Sequence, residues 1–125
     1  MTKKRILLVD DEKSLTTLLK LNLEETGNYD VRVENWPEDA LAAAREFKPD
    51  IILLDIIMPR LPGGNVAAQI DADPALKGTP IVFLTAAVRK WQVEDNDGII
   101  CEHPCLAKPA TVEEVIAMIE KHARK

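Results

Sequence analysis

Ile6-Leu7-Leu8-Val9-Asp10-Asp11 ends an unbroken apolar run on two acids, and Ile51-Ile52-Leu53-Leu54-Asp55 does the same further along the chain. A third run, Ile81-Val82-Phe83-Leu84, stops at the hydroxyl of Thr85. Short apolar runs without alternation suit strands covered on both faces, the state of strands in a parallel sheet with helices on either side. A weaker strand is expected at Tyr29 to Glu34, after the turn signal Gly27-Asn28, and a last short one between Ile99 and Ala107.

Helical patterns fill the gaps. Leu15, Leu18, Leu19 and Leu23 recur at helical spacing, with Gly27 following as a terminator. Pro37 stands in the first turn of a second helix through Asp39-Ala-Leu-Ala-Ala-Ala-Arg, closed by Pro49. A third helix is expected from about Asn65 to Asp73, and Thr111 before Val112-Glu113-Glu114 is a natural N-cap for the last, ending near Ala123. The stretch from Val88 to Pro104 reads less easily. Val88, Trp91 and Val93 allow a short amphipathic turn, but Glu94-Asp95-Asn96-Asp97-Gly98 breaks any long helix. The sum is an α/β fold of one domain over residues 1–125: a doubly wound, five-stranded parallel sheet with helices on both faces and right-handed crossovers.

Composition sets the outer limits. The chain has 125 residues, 46% of them hydrophobic, enough to build a core without disulfides or a structural metal. A formal net charge of −5 argues against a nucleic-acid-binding surface on this domain, because phosphate binders carry basic patches. No apolar run is long enough to span a bilayer, and the expectation is a soluble, cytoplasmic protein without membrane contact. Cys101 and Cys105 are too few and too close for a secreted disulfide framework.

The chemistry is expected at the strand ends. In an open parallel sheet these share one edge, and the crevice opens where the chain connections reverse direction. If the spatial order is 2-1-3-4-5, as in the flavodoxin-like examples of such sheets, strands one and three are neighbours, which brings Asp10 and Asp11 beside Asp55, with Thr85 and Lys108 across the cleft. Clustered carboxylates repel one another, and a hard divalent cation bound through oxygen, Mg²⁺ by preference, relieves the repulsion. Asp55, alone at its strand end, is the candidate nucleophile on phosphorus. The Asp10-Asp11 pair would hold the ion, with Lys108 and Thr85 bonding phosphoryl oxygens. Each residue alone is commonplace as a solvated cap; five of them falling at four strand ends is the signal.

These residues resemble the receiver domain of two-component response regulators, whose fold is flavodoxin-like. The resemblance covers the whole chain and rests on Ile6-Leu7-Leu8-Val9-Asp10-Asp11-Glu12, Ile52-Leu53-Leu54-Asp55-Ile56-Ile57-Met58-Pro59, Leu84-Thr85-Ala86 and Leu106-Ala107-Lys108-Pro109. It implies that Asp55 takes a phosphoryl group from a histidine kinase, a phosphotransfer protein or a small phosphodonor. It further implies that Asp11 and Asp55 bind Mg²⁺ directly, that Asp10 acts through water, and that the Ile57 carbonyl completes the protein ligands. Lys108 would hold the phosphate, with a cis bond to Pro109, and Thr85 would swing inward on activation. On this reading the protein is no enzyme beyond self-catalysed phosphotransfer and autodephosphorylation, the latter slowed by the bulk of Ile57.

Two departures from the family pattern stand out. Cys105 occupies the place of the aromatic that usually moves with the threonine, and the residues before the last strand predict a short or shifted fourth helix, so that region is irregular. The output would be a protein-binding surface acting on a downstream target, or on an output domain elsewhere in a longer regulator, from a monomer or weak dimer. A phosphorylation-independent binding module on the same fold is the alternative that Cys105 keeps open. A small Mg²⁺-dependent aspartyl phosphatase fits less well, since Asp10-Asp11-Glu12-Lys13-Ser14 lacks the Asp-x-Asp spacing of that class. Cys101, His103 and Cys105 lack the spacing of a structural zinc site and read as an alternating strand.

Overall fold

In the computed structural model the described residues are 3–56, 58, 61–85, 99–100 and 103–124, without the side chains of 85, 99 and 100. Strands β1 (Lys4–Val9), β2 (Tyr29–Glu34), β3 (Ile51–Leu54), β4 (Ile81–Thr85), β5 (Ile99–Ile100) and β6 (His103–Ala107) alternate with helices α1 (Lys13–Glu25), α2 (Ala40–Phe47), α3 (Gly63–Ala72) and α4 (Val112–His122). The sheet order is β2-β1-β3-β4-β6-β5. Its first five members pair in parallel, which is the expected 2-1-3-4-5 arrangement. The chain steps outward from β1 to β2, then returns to the far side of β1 for β3. That reversal opens a crevice between β1 and β3 at their C-terminal ends.

The sequence reading placed one strand between Ile99 and Ala107, and two form. Ile99–Ile100 pairs antiparallel with the start of β6, Ile99 opposite Pro104. Such a short partner blunts the open edge that β6 would otherwise present. The helical turn expected around Val88, Trp91 and Val93 lies outside the described residues.

Alternation along each strand divides the core in two. Leu7, Val9, Ile52, Leu54, Ile81 and Phe83 point to α2 and α3, meeting Ala43, Ala44, Val66 and Ile70. Ile6, Leu8, Ile51, Leu53, Val82 and Leu84 point the other way, against Leu19 and Leu23 of α1 and Val115 and Ile119 of α4. Each such side chain, buried on a sheet face, contributes about 2 kcal/mol of transfer free energy. A strand sandwiched in this way needs apolar residues at every position, which accounts for the unbroken runs.

Local signals set the element ends. Gly27 takes φ +81° just after α1, and Lys48 adopts the left-handed conformation after α2, one residue before Pro49. Pro37–Asp39 forms a 3-10 turn that leads into α2. At α4 a capping box is complete: Thr111 Oγ1 accepts from the Glu114 amide, and the Glu114 carboxylate accepts from the Thr111 amide. Among the described residues no helix is long and apolar enough to cross a membrane.

Candidate phosphoacceptor site

Asp10 and Asp55 follow neighbouring strands, and their peptides continue the ladder: the Asp55 amide donates to the Val9 carbonyl at 3.0 Å and the Asp10 amide to Glu34 at 3.2 Å. Both side chains are held at the crevice floor, with residue exposures of 1% for Asp10 and 7% for Asp55, whereas Asp11 is exposed at the rim. One carboxylate oxygen from each of the three lies within 4.8 Å of the others. The three acids that the sequence groups are thus brought together.

Lys108, at the end of β6, brings the cation. Its Nζ donates to Asp10 Oδ2 at 2.6 Å and stands 3.7 Å from Asp55 Oδ1. The bond from Lys108 to Pro109 is cis, as the resemblance implies. Asp10 Oδ1 accepts from the Glu12 amide at 3.0 Å, so both oxygens of this buried carboxylate are occupied. Asp55 is supported less well. Burial first, then the charge of Asp10 and to a smaller degree Asp11, push its pKa up to about 6, against the opposing pull of Lys108 and of a hydrogen bond from the Ile56 amide.

Two residues that the sequence reading did not single out shape the site. Asn35, one position past β2, donates from Nδ2 to the Asp10 carbonyl at 2.8 Å and to Thr16 Oγ1 at 2.9 Å. Gly63 opens α3 hard against the turn after Asp55: its amide donates to the Ile56 carbonyl at 2.7 Å, and a Cβ there would stand 2.0 Å from the Asp55 carbonyl oxygen. The sequence did carry a hint of this. Pro62-Gly63-Gly64 is a poor way to begin a helix on propensity alone, so a packing constraint is the reason for glycine.

Thr85 ends β4 opposite Ala107 of β6, but its side chain, like Ile57 and its carbonyl, lies outside the described residues. Cys105 is buried at 4% exposure in the core under α3, where burial raises its thiol pKa. His103, two residues earlier, meets Asp71 of α3 at 2.7 Å and lies edge-on to Phe83. Cys101 is outside the described residues, and among them the acidic triad is the only cluster with metal-binding spacing. Beside Lys108 an apolar cleft of about 320 Å³ runs between α1 and α4, lined by Leu15, Leu19, Leu84, Pro109 and Val115.

The donor set suits a hard dication. Three carboxylates against one ammonium leave the pocket net negative, and carboxylate oxygens are donors for a hard cation rather than a softer metal. A doubly wound sheet with this acidic pocket at its switch point defines a class of signalling domain, the receivers. The chain belongs to the response regulator receiver domain family, whose pattern matches residues 6–120. It is 46% identical over 83 residues to the alkaline phosphatase synthesis transcriptional regulatory protein PhoP of Bacillus subtilis, a match covering 66% of this chain and 33% of that protein. To the DNA-binding dual master transcriptional regulator RpaA of Synechocystis it is 32% identical over 127 residues, covering 97% and 49%. Among solved structures, the receiver domain of sensor histidine kinase PA1611 from Pseudomonas aeruginosa, described with magnesium coordinated in its active-site cleft, superposes with a TM-score of 0.80. That match has 26% identity over 96% of this chain and 97% of the other. The matched segments span 33% and 49% of the length of these two curated relatives.

Proposed function

We propose that this receiver accepts a phosphoryl group on Asp55 from the phosphohistidine of a sensor histidine kinase or phosphotransfer protein, and that the modified domain switches a protein-binding surface. The observation that carries the reading is the position of Asp55: a buried carboxylate 3.7 Å from Lys108 Nζ and grouped with two further acids. An Asp55 carboxylate oxygen attacks phosphorus as the bond from phosphorus to the histidine nitrogen breaks. The leaving electron pair stays on the imidazole, which takes a proton from solvent.

Asp10, Asp11 and Asp55 are the residues that would hold Mg²⁺, with the Ile57 carbonyl as a further donor implied by the family. When bound, the ion neutralises charge shared between the carboxylates and the phosphoryl oxygens. Lys108 moves from Asp10 toward a phosphoryl oxygen, and Thr85 bonds another. The added charge biases two arrangements of the surface, and the shift in population is the output. The apolar cleft beside Lys108, lined by Leu15, Leu19 and Val115, and the exposed Leu18 and Leu21 on α1 offer a phosphodonor protein apolar surface to cover.

The domain is not an enzyme for a separate substrate: phosphotransfer to Asp55 and its later hydrolysis are its own reactions. Its setting is cytoplasmic, where a kinase can reach it. The relatives named as DNA-binding, RpaA of Synechocystis and MtrA of Mycolicibacterium smegmatis, are about twice as long, and a net charge of −5 leaves this domain poorly suited to the phosphate backbone. DNA output, where there is one, belongs to sequence outside the matched part. The test is intact-mass spectrometry after incubation with phosphoramidate or acetyl phosphate. We expect one phosphoryl adduct that needs Mg²⁺ and is lost in Asp55→Asn. A folded protein with no adduct from these donors or from a phosphorylated histidine protein overturns the reading.

A further inference from the structure

We infer that Asn35 is a positioning residue for the acidic pocket: its carboxamide fixes the Asp10-Asp11 peptide and thereby aims the Asp11 carboxylate at the cation site. The inference rests on the reading of the pocket given above and deepens it.

Asn35 lies where β2 has just ended, so the backbone no longer fixes its neighbour by regular pairing. The backbone at Asp10 is nevertheless held on both sides of its Cα, because the Asp10 amide donates to the Glu34 carbonyl and the Asp10 carbonyl accepts from Asn35 Nδ2 at 2.8 Å. The side chain extends the ladder by one bond past the end of the strand. That carbonyl belongs to the same rigid peptide plane as the Asp11 amide. Fixing the plane fixes the direction in which Asp11 leaves the backbone. Asp11 is the exposed member of the triad and the one whose direction packing does least to determine.

The chemistry of the contact requires an amide. Thr16, 1% exposed in the first turns of α1, gives its own hydroxyl proton to the Lys13 carbonyl at 3.0 Å and presents a lone pair to Asn35 at 2.9 Å. Asn35 therefore faces two acceptors, and the two hydrogens of Nδ2 serve both. A carboxylate would face both oxygens without a proton and add a further negative charge near three others. An alanine would leave the Asp10 carbonyl and the Thr16 hydroxyl short of a donor and free the peptide to turn. The same contact ties β1, β2 and α1 together at the rim, so an error of orientation there passes directly to the pocket.

The experiment compares Mg²⁺ affinity of the unphosphorylated full chain, by titration calorimetry, in wild type, Asn35→Ala, Asn35→Ser and Tyr29→Phe. The last removes a hydrogen bond to Glu120 on α4, away from the pocket, and serves as a measure of lost stability alone. We expect Asn35→Ala to bind Mg²⁺ about tenfold more weakly, the usual scale for losing an outer-sphere partner. Asn35→Ser, which keeps one donor, should fall between it and wild type, and Tyr29→Phe should bind as wild type does at the same loss of melting temperature. If Asn35→Ala is too unstable to measure, the ranking of Asn35→Ser against Tyr29→Phe decides. Equal Mg²⁺ affinity across all folded variants overturns the inference. Failure of wild type itself to bind Mg²⁺ strikes instead at the reading of the pocket.

Discussion

Lys108 Nζ sits 2.6 Å from Asp10 Oδ2 but 3.7 Å from Asp55 Oδ1. The only ammonium paired with this pocket among the described residues is therefore committed to the carboxylate that does not react, and Asp55 is left with the weaker share of its charge. A group poised in this way has a short distance to travel when a phosphoryl oxygen appears on Asp55. Lys108→Ala should destabilise the metal-free protein by about 2 kcal/mol, because Asp10 keeps its burial and loses its charge partner. Urea denaturation in the presence of a chelator measures this. A loss no larger than that of an exposed lysine variant would show the pair to be an incidental surface contact.

The raised pKa of Asp55 fixes the sign of a pH effect. A carboxyl that titrates near 6 when folded and near 3.8 when unfolded holds its proton more tightly in the native state. It therefore disfavours folding above about pH 6, and this cost disappears as the pH falls toward 4. In chelator, Asp55→Asn should raise the melting temperature at pH 8, by an amount corresponding to about 1–2 kcal/mol, and the gain should vanish near pH 4. Saturating Mg²⁺ should narrow it, since the ion stabilises the wild-type triad more. An advantage of Asp55→Asn that grows on acidification contradicts the account.

Gly63 leaves no room for a side chain. Its Cβ would fall 2.0 Å from the Asp55 carbonyl oxygen and 2.8 Å from Ile56 Cα, both backbone atoms that cannot rotate away. Gly63→Ala should cost about 3 kcal/mol or more and slow phosphorylation of whatever remains folded, because the turn after Asp55 must shift. Gly64 has open space around its Cβ position, so Gly64→Ala is the control and should be neutral or mildly stabilising. Equal effects at the two positions would remove close approach as the reason for glycine.

The outer edge of β2 is guarded from α1. Lys20 Nζ donates to the Val31 carbonyl at 2.7 Å, and Glu24 Oε2 accepts from the Val31 amide at 3.1 Å, so an incoming strand finds that residue already bonded. Replacing both Lys20 and Glu24 with alanine should increase self-association at high concentration, read by sedimentation velocity against wild type. No change in association would mean that the rest of the edge is protection enough.

Much of this molecule is legible in its sequence. The runs ending at Asp10-Asp11 and Asp55 specified doubly covered strands, and a parallel sheet gathers such ends on one edge. Thr111 and Gly27 marked helix ends because capping chemistry is local. The Ile99–Ile100 strand escaped because two residues carry no periodicity, and only the unpaired edge of β6 gives them a partner. Asn35 and Gly63 escaped for a related reason. Their roles depend on Thr16, the Asp10 carbonyl and the Asp55 backbone, which are distant in sequence and come together only when the sheet forms. Spacing reveals which residues share a face, whereas a contact between a side chain and a remote peptide has no spacing to read.

The most direct test of the central claim is to locate the phosphoryl group chemically. After reaction with phosphoramidate and Mg²⁺, borohydride reduction converts an aspartyl phosphate to homoserine, and peptide mass spectrometry reads the position. Homoserine is expected at 55, with Asp10 and Asp11 unchanged, and none when Mg²⁺ is withheld. Reduction at Asp10 or Asp11, or phosphate on a hydroxyl that resists borohydride, would contradict it.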